Sequence, residues 1–230
     1  IPSQRSALLL LNRSILSSVA KVSGGEGIRI KPVGMHTKAE WTIQMSAIYS
    51  SLTRSNLTTA YLSNGTGGEF YTRISSTAGI QVKNGRDGDD TWTQIPLQAG
   101  KWLHITYVHK DKKTTVYVNG KVQKVFENSA ITFGENSMIV VGNSGYRNDY
   151  LREIRLWDKA LTESEINDYL YLPMDPATPH LISYLPLSKE METKDLKAPA
   201  GTENVTTKAR IEYVENVKFP ADELVIVNQE

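Results

Sequence analysis

The chain of 230 residues contains no cysteine. That excludes disulfide frameworks, cysteine-ligated zinc, thiol nucleophiles and thioredoxin-like redox chemistry. It does not fix the compartment. An excess of charge of one sign is missing as well: 26 Lys and Arg stand against 25 Asp and Glu, for a formal net charge of +1. A nucleic-acid partner normally leaves a clustered basic excess, and none is present. No apolar run approaches the length of a membrane-spanning helix; the longest, Ala7 to Leu11, closes at Asn12-Arg13. The four histidines, His36, His104, His109 and His180, offer no H-x-H or H-x-x-x-H spacing, which argues against a transition-metal site. His104 and His109 are an odd number of residues apart on one expected strand, so they point to opposite faces. The N-terminus, Ile1-Pro2, has no Met and no signal-peptide pattern. It is expected to belong to a mature chain, or to a piece from which a targeting segment, with or without an upstream domain, has been removed.

What is present is unevenly distributed. Sixteen of the nineteen Phe, Trp and Tyr residues lie between Trp41 and Tyr171, and none precedes Trp41. Within that stretch, apolar and polar residues alternate in short runs: Trp41–Ile48, Phe70–Ile74, Gly79–Lys83 and Trp102–Lys110. Period-two alternation is the signature of half-buried strands. Thr114–Val118 and Lys121–Phe126 flank Asn119-Gly120, the strongest short-range hairpin signal. Further strands are expected at Met138–Val141, Tyr150–Trp157, Leu181–Leu187 and Ile211–Val217. Strands at this spacing, with turns between, predict a sandwich or barrel.

One helix is expected. Thr162 occupies its N-cap and Glu165 position N3, a capping box, and Ile166, Tyr169 and Leu170 make a short apolar stripe that ends before Pro173. The organisation expected is an N-terminal linker or edge segment over 1–20, one domain over 21–219, and a C-terminal tail over 220–230.

The order of these pieces resembles the laminin G-like domains of the concanavalin A-like lectin/glucanase superfamily. Gly24-Gly25-Glu26-Gly27-Ile28-Arg29-Ile30 resembles the family's opening strand and glycine corner, and Trp41-Thr42-Ile43 the strand after it. Gly100-Lys101-Trp102-Leu103-His104-Ile105-Thr106-Tyr107 is similar to its G-x-W-x-H strand, followed by Val116-Tyr117-Val118-Asn119-Gly120. Ile139-Val140-Val141-Gly142 and Arg152-Glu153-Ile154-Arg155-Leu156-Trp157 through Thr162 complete the set, in the family's order. The resemblance implies an all-β fold: a two-sheet antiparallel jelly-roll sandwich with one short helix, with Trp102 and Trp157 as core anchors and His104 as a structural residue. In polysaccharide-degrading Gram-negative bacteria, such domains form the C-terminal part of surface lipoproteins. The resemblance therefore implies an exported, cell-surface or periplasmic setting beside an upstream domain.

The superfamily includes glycoside hydrolases, which need a pair of carboxylates. Its glucanases carry E-x-D-x-E or E-x-D-x-x-E on a strand, and no strand here does. Glu190-x-Glu192-x-x-Asp195 comes nearest, but it follows Pro186 in a polar stretch and fits a solvated charge run. Gly142-Asn143-Ser144-Gly145 lacks the His and Asp of a serine hydrolase, and Gly65–Gly68 precedes a strand rather than a helix; both are turns.

Two loops have the composition of a ligand site. Asn84 to Trp92 contains Asp87, Asp89 and Asp90, three carboxylates that a hard cation such as Ca²⁺ could use, although the spacing is not D-x-D-x-D-G. An Asx-rich turn explains the same residues. Sugars need aromatic faces with amide, carboxylate and guanidinium groups nearby. Arg86, Asp89, Asp90 and Trp92 supply these in one loop, and Tyr146, Arg147 and Asn148 in another. Loops of a sandwich gather at its two ends, so the two clusters are expected to converge on one rim. The expected function is a non-catalytic carbohydrate-binding or adhesion module with a glycan or polysaccharide partner, no nucleic acid and no membrane span. The alternatives are a structural or protein-interaction domain supporting a neighbour, or a glycoside hydrolase with a non-standard acid pair.

Overall fold

Alternating side chains give each strand one apolar and one polar face, and burying the apolar faces against each other makes two layers. The computed structural model describes residues 18–25, 27–52, 58–63, 69–83, 89–127, 130–142, 146–215 and 217. Its strands run β1 (Ser18–Gly24), β2 (Ile28–Ile30), β3 (Trp41–Ile48), β4 (Thr58–Ser63), β5 (Glu69–Ser75) and β6 (Gly79–Lys83). Then come β7 (Trp102–Lys110), β8 (Lys113–Val118), β9 (Lys121–Glu127), β10 (Met138–Val141) and β11 (Tyr146–Trp157). Helix α1 (Glu163–Asp168) precedes β12 (Leu181–Leu185), β13 (Val205–Thr207) and β14 (Arg210–Glu215).

One sheet has the order β14-β1-β11-β3-β7-β8-β9, with β12 pairing the far half of β11; the other has the order β13-β2-β10-β4-β5-β6. Every pairing is antiparallel. The all-β sandwich expected from the sequence is the observed fold.

Between the sheets lies the main core. Trp41, Ile43, Met45 and Ala47 of β3 face it beside Leu103, Ile105 and Tyr107 of β7, opposite Phe70, Ile80 and Ile139 from the smaller sheet. Trp41 meets Phe70 edge-on at 5.0 Å between ring centroids, and His109 stacks on its other side at 5.1 Å. Its indole N–H donates to the Ile131 carbonyl at 2.9 Å, so burial leaves no orphan donor. Trp41 and Trp157 are fully packed, whereas Trp102, expected as a core anchor, is only half-buried at the first position of β7.

Local signals were obeyed closely. Asn119 and Gly120 both take positive φ, 51° and 77°, the type I′ geometry that an Asn-Gly hairpin demands. Thr162 caps α1 by accepting from the Glu165 amide at 3.2 Å. The other half of the expected capping box is absent, because the Glu165 carboxylate pairs with the Lys159 ammonium at 2.8 Å instead. Gly27, at φ 81°, sits against the Val141 carbonyl where any Cβ would collide, which makes the β1–β2 corner glycine-dependent. β1 begins at Ser18, inside the stretch expected to be a linker or edge segment, and β13 falls in a polar segment from which no strand was expected.

Candidate functional site

The two outer faces of the sandwich differ in kind. On the larger sheet, α1 and the chain around it cover the outer face with a second apolar cluster: Val108, Tyr117, Trp157, Leu161, Ile166 and Tyr184 among others. Beneath that cover lies a layer of polar groups. Gln44 accepts from the Trp157 indole at 2.8 Å and donates to Thr106 at 3.3 Å. Arg155 donates to Glu153 at 2.8 Å and to the carbonyls of Tyr169 and Leu172, fastening the segment after α1 to the sheet. Tyr184 donates to the other oxygen of Glu153 at 3.0 Å, and Arg152 stands 3.9 Å from that same oxygen. Arg152, Glu153 and Arg155 are fully buried. Glu153 has φ 57° at a bulge where β11 slips against β3, which lets this carboxylate turn toward both arginines. Burial, with the Arg155 charge adding to it, holds His104 down at about 3, so its imidazole is neutral. Burial likewise pushes the Tyr184 phenol well above its ordinary value. This face is closed to solutes, although the buried Ser46 hydroxyl and His104 Nε2 find no hydrogen-bond partner among the described residues.

On the smaller sheet the outer face carries a mixture of half-buried and buried residues: Gln81 and Val140 are closed off, Gln81 against Thr91 and Trp92. Ile80 and Val82 point into the core, so Gln81 and Lys83 point out; Phe70 and Ile74 point in, so Tyr71 and Arg73 point out. The Arg73 guanidinium lies 5.2 Å from the Tyr71 ring centroid, and its Nε donates to the Tyr71 hydroxyl at 3.3 Å, which fixes the ring. Lys83 stands directly across from Tyr71. One register row runs Arg29, Val140, Tyr61, Tyr71, Lys83. With three strand spacings of about 4.8 Å between them, Arg29 and Tyr71 sit about 14 Å apart along that row.

At the Arg29 end, the face deepens into a groove of about 630 Å³ lined by Arg29, Lys31, Val33, Met138, Glu203 and Asn204 among others. Its far wall, the chain at 202–206, is held by Asn204, whose amide donates to the Lys31 carbonyl and to Asp195, each at 2.9 Å. Buried Asp195 also accepts from the amides of Tyr184 and Lys197. Its oxygens are therefore committed to structure, which removes it from any acid pair with Glu190 or Glu192. Behind the same wall lies a second hollow, of about 650 Å³, lined by residues of 190–205.

The loop residues expected to bind are distributed differently from the expectation. Arg86 and Asp87 lie outside the described residues. Asp89 and Asp90 open a short 3-10 turn, Asp89–Thr91, in which Asp90 is exposed. Trp92 is 3% exposed, so its ring offers no open stacking platform. The physical reason is backbone pairing: Thr93 and Gln94 donate to the carbonyls of Ile80 and Ala78, drawing Trp92 in against β6 beside Gln81. The Lys124 ammonium donates to the carbonyls of Asp90 and Trp92 at 2.7 and 2.9 Å. Tyr146 and Arg147 begin β11 opposite Gly24 and Ser23, and exposed Asn148 is the bulged residue beside them, at φ 60°.

The acidic turn departs from Lys83, at the end of the sandwich shared by Met138. Tyr146 starts from the opposite end, beyond Val141. The two clusters do not converge on one rim. Among the described residues, no group of three or more His, Asp or Glu is placed to hold a metal ion. The out-facing Tyr71, Arg73, Lys83 and Arg29 were missed, although the alternation in Phe70–Ile74 already placed Tyr71 and Arg73 on one face.

The sequence matches the family described as the concanavalin A-like lectin/glucanases superfamily over residues 23–167, more than half its length. The chain belongs to that family. No curated protein sequence matches it. Among solved structures, it is similar to a Bacteroides ovatus protein provisionally assigned as carbohydrate-binding, at 20% identity and a TM-score of 0.65. That match covers 88% of this chain and 61% of the other, so the chain spans less than two thirds of its neighbour's length. A heptameric SAP-like pentraxin of Limulus polyphemus matches at 12% identity and a TM-score of 0.53, over 87% of this chain and 96% of that one. A Trypanosoma rangeli sialidase matches at 14% identity and a TM-score of 0.50, over 65% and 27%. At these identities the likenesses define the fold. Among the described residues, no helix is long and apolar enough to cross a membrane.

Proposed function

We propose that the chain is a non-catalytic carbohydrate-binding module of an exported bacterial surface protein, working beside another domain. The observation that carries the reading is the outer face of the smaller sheet, where half-buried Tyr71, braced by Arg73, supplies an aromatic ring for sugar C–H groups. The family, and the neighbour assigned to carbohydrate binding, support the same reading. A non-catalytic role is favoured by the charges on that face: its out-facing residues with described side chains bear cations and no carboxylate pair, whereas glycosidases need two acids about 5–9 Å apart. Glu153, a fully buried carboxylate, is sealed between two arginines.

A glycan array run in Ca²⁺ and again in EDTA tests this. Retention on at least one glycan is expected, weakened at least tenfold by Tyr71→Ala with the melting temperature unchanged. If Asn148→Ala or a change at Arg86, Asp89, Asp90, Tyr146 or Arg147 abolishes retention and Tyr71→Ala does not, the site lies at a rim. Silence on every glycan would turn the reading toward a supporting domain. Surface proteolysis of intact cells expressing the full-length protein tests the exported setting; digestion is expected.

A further inference from the structure

We infer that the covered face of the larger sheet is a binding site for one internal water molecule, held between the Ser46 hydroxyl and Nε2 of His104. This water completes the polar layer under the cover, whether or not the other face takes a glycan.

Strand pairing brings the two atoms together. Ser46 of β3 stands directly across from His104 of β7 on one side and from Arg152 of β11 on the other. Met45, Ala47, Leu103, Ile105 and Leu151 fill the main core, so by alternation the three side chains of this row point the other way, under the cover. Directly opposed residues of an antiparallel pair have Cβ atoms about 4.5–5.5 Å apart. All three are buried, Ser46 and Arg152 at 0% exposure and His104 at 1%. The serine is the short side chain of the row, with a long one on either side, so the layer is thinnest above it.

The Ser46 Oγ and His104 Nε2 atoms have no hydrogen-bond partner among the described residues, and the polar groups around them are committed elsewhere. Nδ1 of His104 lies 3.4 Å from the Thr106 hydroxyl, which accepts from Gln44, itself an acceptor for the Trp157 indole. Arg155 is spent on Glu153 and on the carbonyls of Tyr169 and Leu172. Tyr171 gives the imidazole its ring, 5.8 Å away between centroids, because its hydroxyl donates to Asn119. Folded proteins satisfy nearly all buried polar atoms, with ordered water where protein groups do not reach. Water suits both atoms. The imidazole is neutral, held at about 3 mainly by burial, so Nε2 carries either a proton or a lone pair, and a hydroxyl likewise gives or takes. A water both donates and accepts, and therefore fits either tautomer.

A crystal structure of the protein at near-atomic resolution, with a second crystal soaked in bromide, tests this. A peak of water height is expected within about 3.2 Å of both Ser46 Oγ and His104 Nε2. In solution, the His104 ring protons should show a nuclear Overhauser effect from a water that tumbles with the protein. Ser46→Val puts methyl groups where the water sits and should abolish both signals while near-ultraviolet circular dichroism stays unchanged. If that variant does not fold, the peak and the water signal of the wild type decide by themselves. The absence of a peak, with the two atoms bonded to protein groups instead, overturns the site. A peak that takes up bromide makes the ligand a halide and overturns the water. A water signal undiminished in folded Ser46→Val overturns its placement beside Ser46.

Discussion

Both sheets of the sandwich turn polar residues outward, and the two outer faces use them in opposite ways. On the larger sheet, α1 and the segment after it close over Gln44, His104, Arg152, Glu153 and Arg155, and hydrogen bonds within the protein hold Gln44, Glu153 and Arg155. On the smaller sheet, Tyr71, Arg73 and Lys83 remain half-buried, and no helix lies over them among the described residues. A polar strand position is therefore not by itself a ligand contact. What separates the faces is whether later chain returns to cover them. The covered face should answer to mutation in stability, and the other face in binding.

The largest effect expected is on the covered face. Glu153→Ala removes the one carboxylate between Arg152 and Arg155 and leaves two guanidinium groups buried without it. Breaking a buried ion pair from one side costs about 3–5 kcal/mol. In a chain of this size that lowers the melting temperature by roughly 10 °C. Thermal melts of the variant against the wild type check this. A loss of only a degree or two would mean that the cover is loose and water reaches the arginines.

How much of this contrast could be read in advance follows from how local each determinant is. The Asn119-Gly120 hairpin and the Thr162 cap depend on neighbours within a few residues, and both formed as their residues dictate. β10 matched its expected range at both ends because its apolar run is self-contained. β13 was not legible: Val205-Thr206-Thr207 carries little apolar pattern, and its pairing partner is β2, at the other end of the chain. The buried network had no local signature either. Arg152-Glu153-Ile154-Arg155 resembles an ordinary half-exposed strand until the bulge at Glu153 and the return of Tyr184 enclose it. Trp92 misled for the same reason, since its burial depends on pairing with β6 rather than on its own turn.

An intermediate effect is expected in the acid range. His104 on the covered face is held at about 3, and His109, stacked on Trp41 in the main core, at about 4, both mainly by burial. Unfolding restores each to about 6.5, so the unfolded chain binds more protons below that pH. The stability they confer is complete above pH 6.5 and is lost as the pH falls toward the folded values. Each histidine contributes a slope of about 1.4 kcal/mol per pH unit within that window. Melting temperatures measured between pH 7 and pH 5, above the range where most carboxylates titrate, should fall. In His104→Gln the fall should be shallower. An unchanged slope would mean that water reaches the imidazole and that the outer layer is not closed.

The smallest effect belongs to the junction between the two regions. Lys124 lies on β9, at the edge of the larger sheet, and its ammonium donates to the carbonyls of Asp90 and Trp92, which run beside β6 at the edge of the smaller one. It also sits 5.0 Å from the Phe126 ring centroid. The ammonium thus supplies positive charge at the turn where Asp87, Asp89 and Asp90 would otherwise invite a cation, and two of the carbonyl oxygens a Ca²⁺ ion could use are already taken. Lys124→Met keeps the aliphatic stem and removes both hydrogen bonds. At an edge open to solvent, this should cost about 1 kcal/mol, a shift of roughly 3 °C. Because the ammonium already satisfies the turn, the wild type should melt at the same temperature in Ca²⁺ and in EDTA. A ligand that prefers the folded state must raise that temperature. A rise in Ca²⁺ that grows in Lys124→Met would identify the acidic turn as a metal site with which the lysine competes.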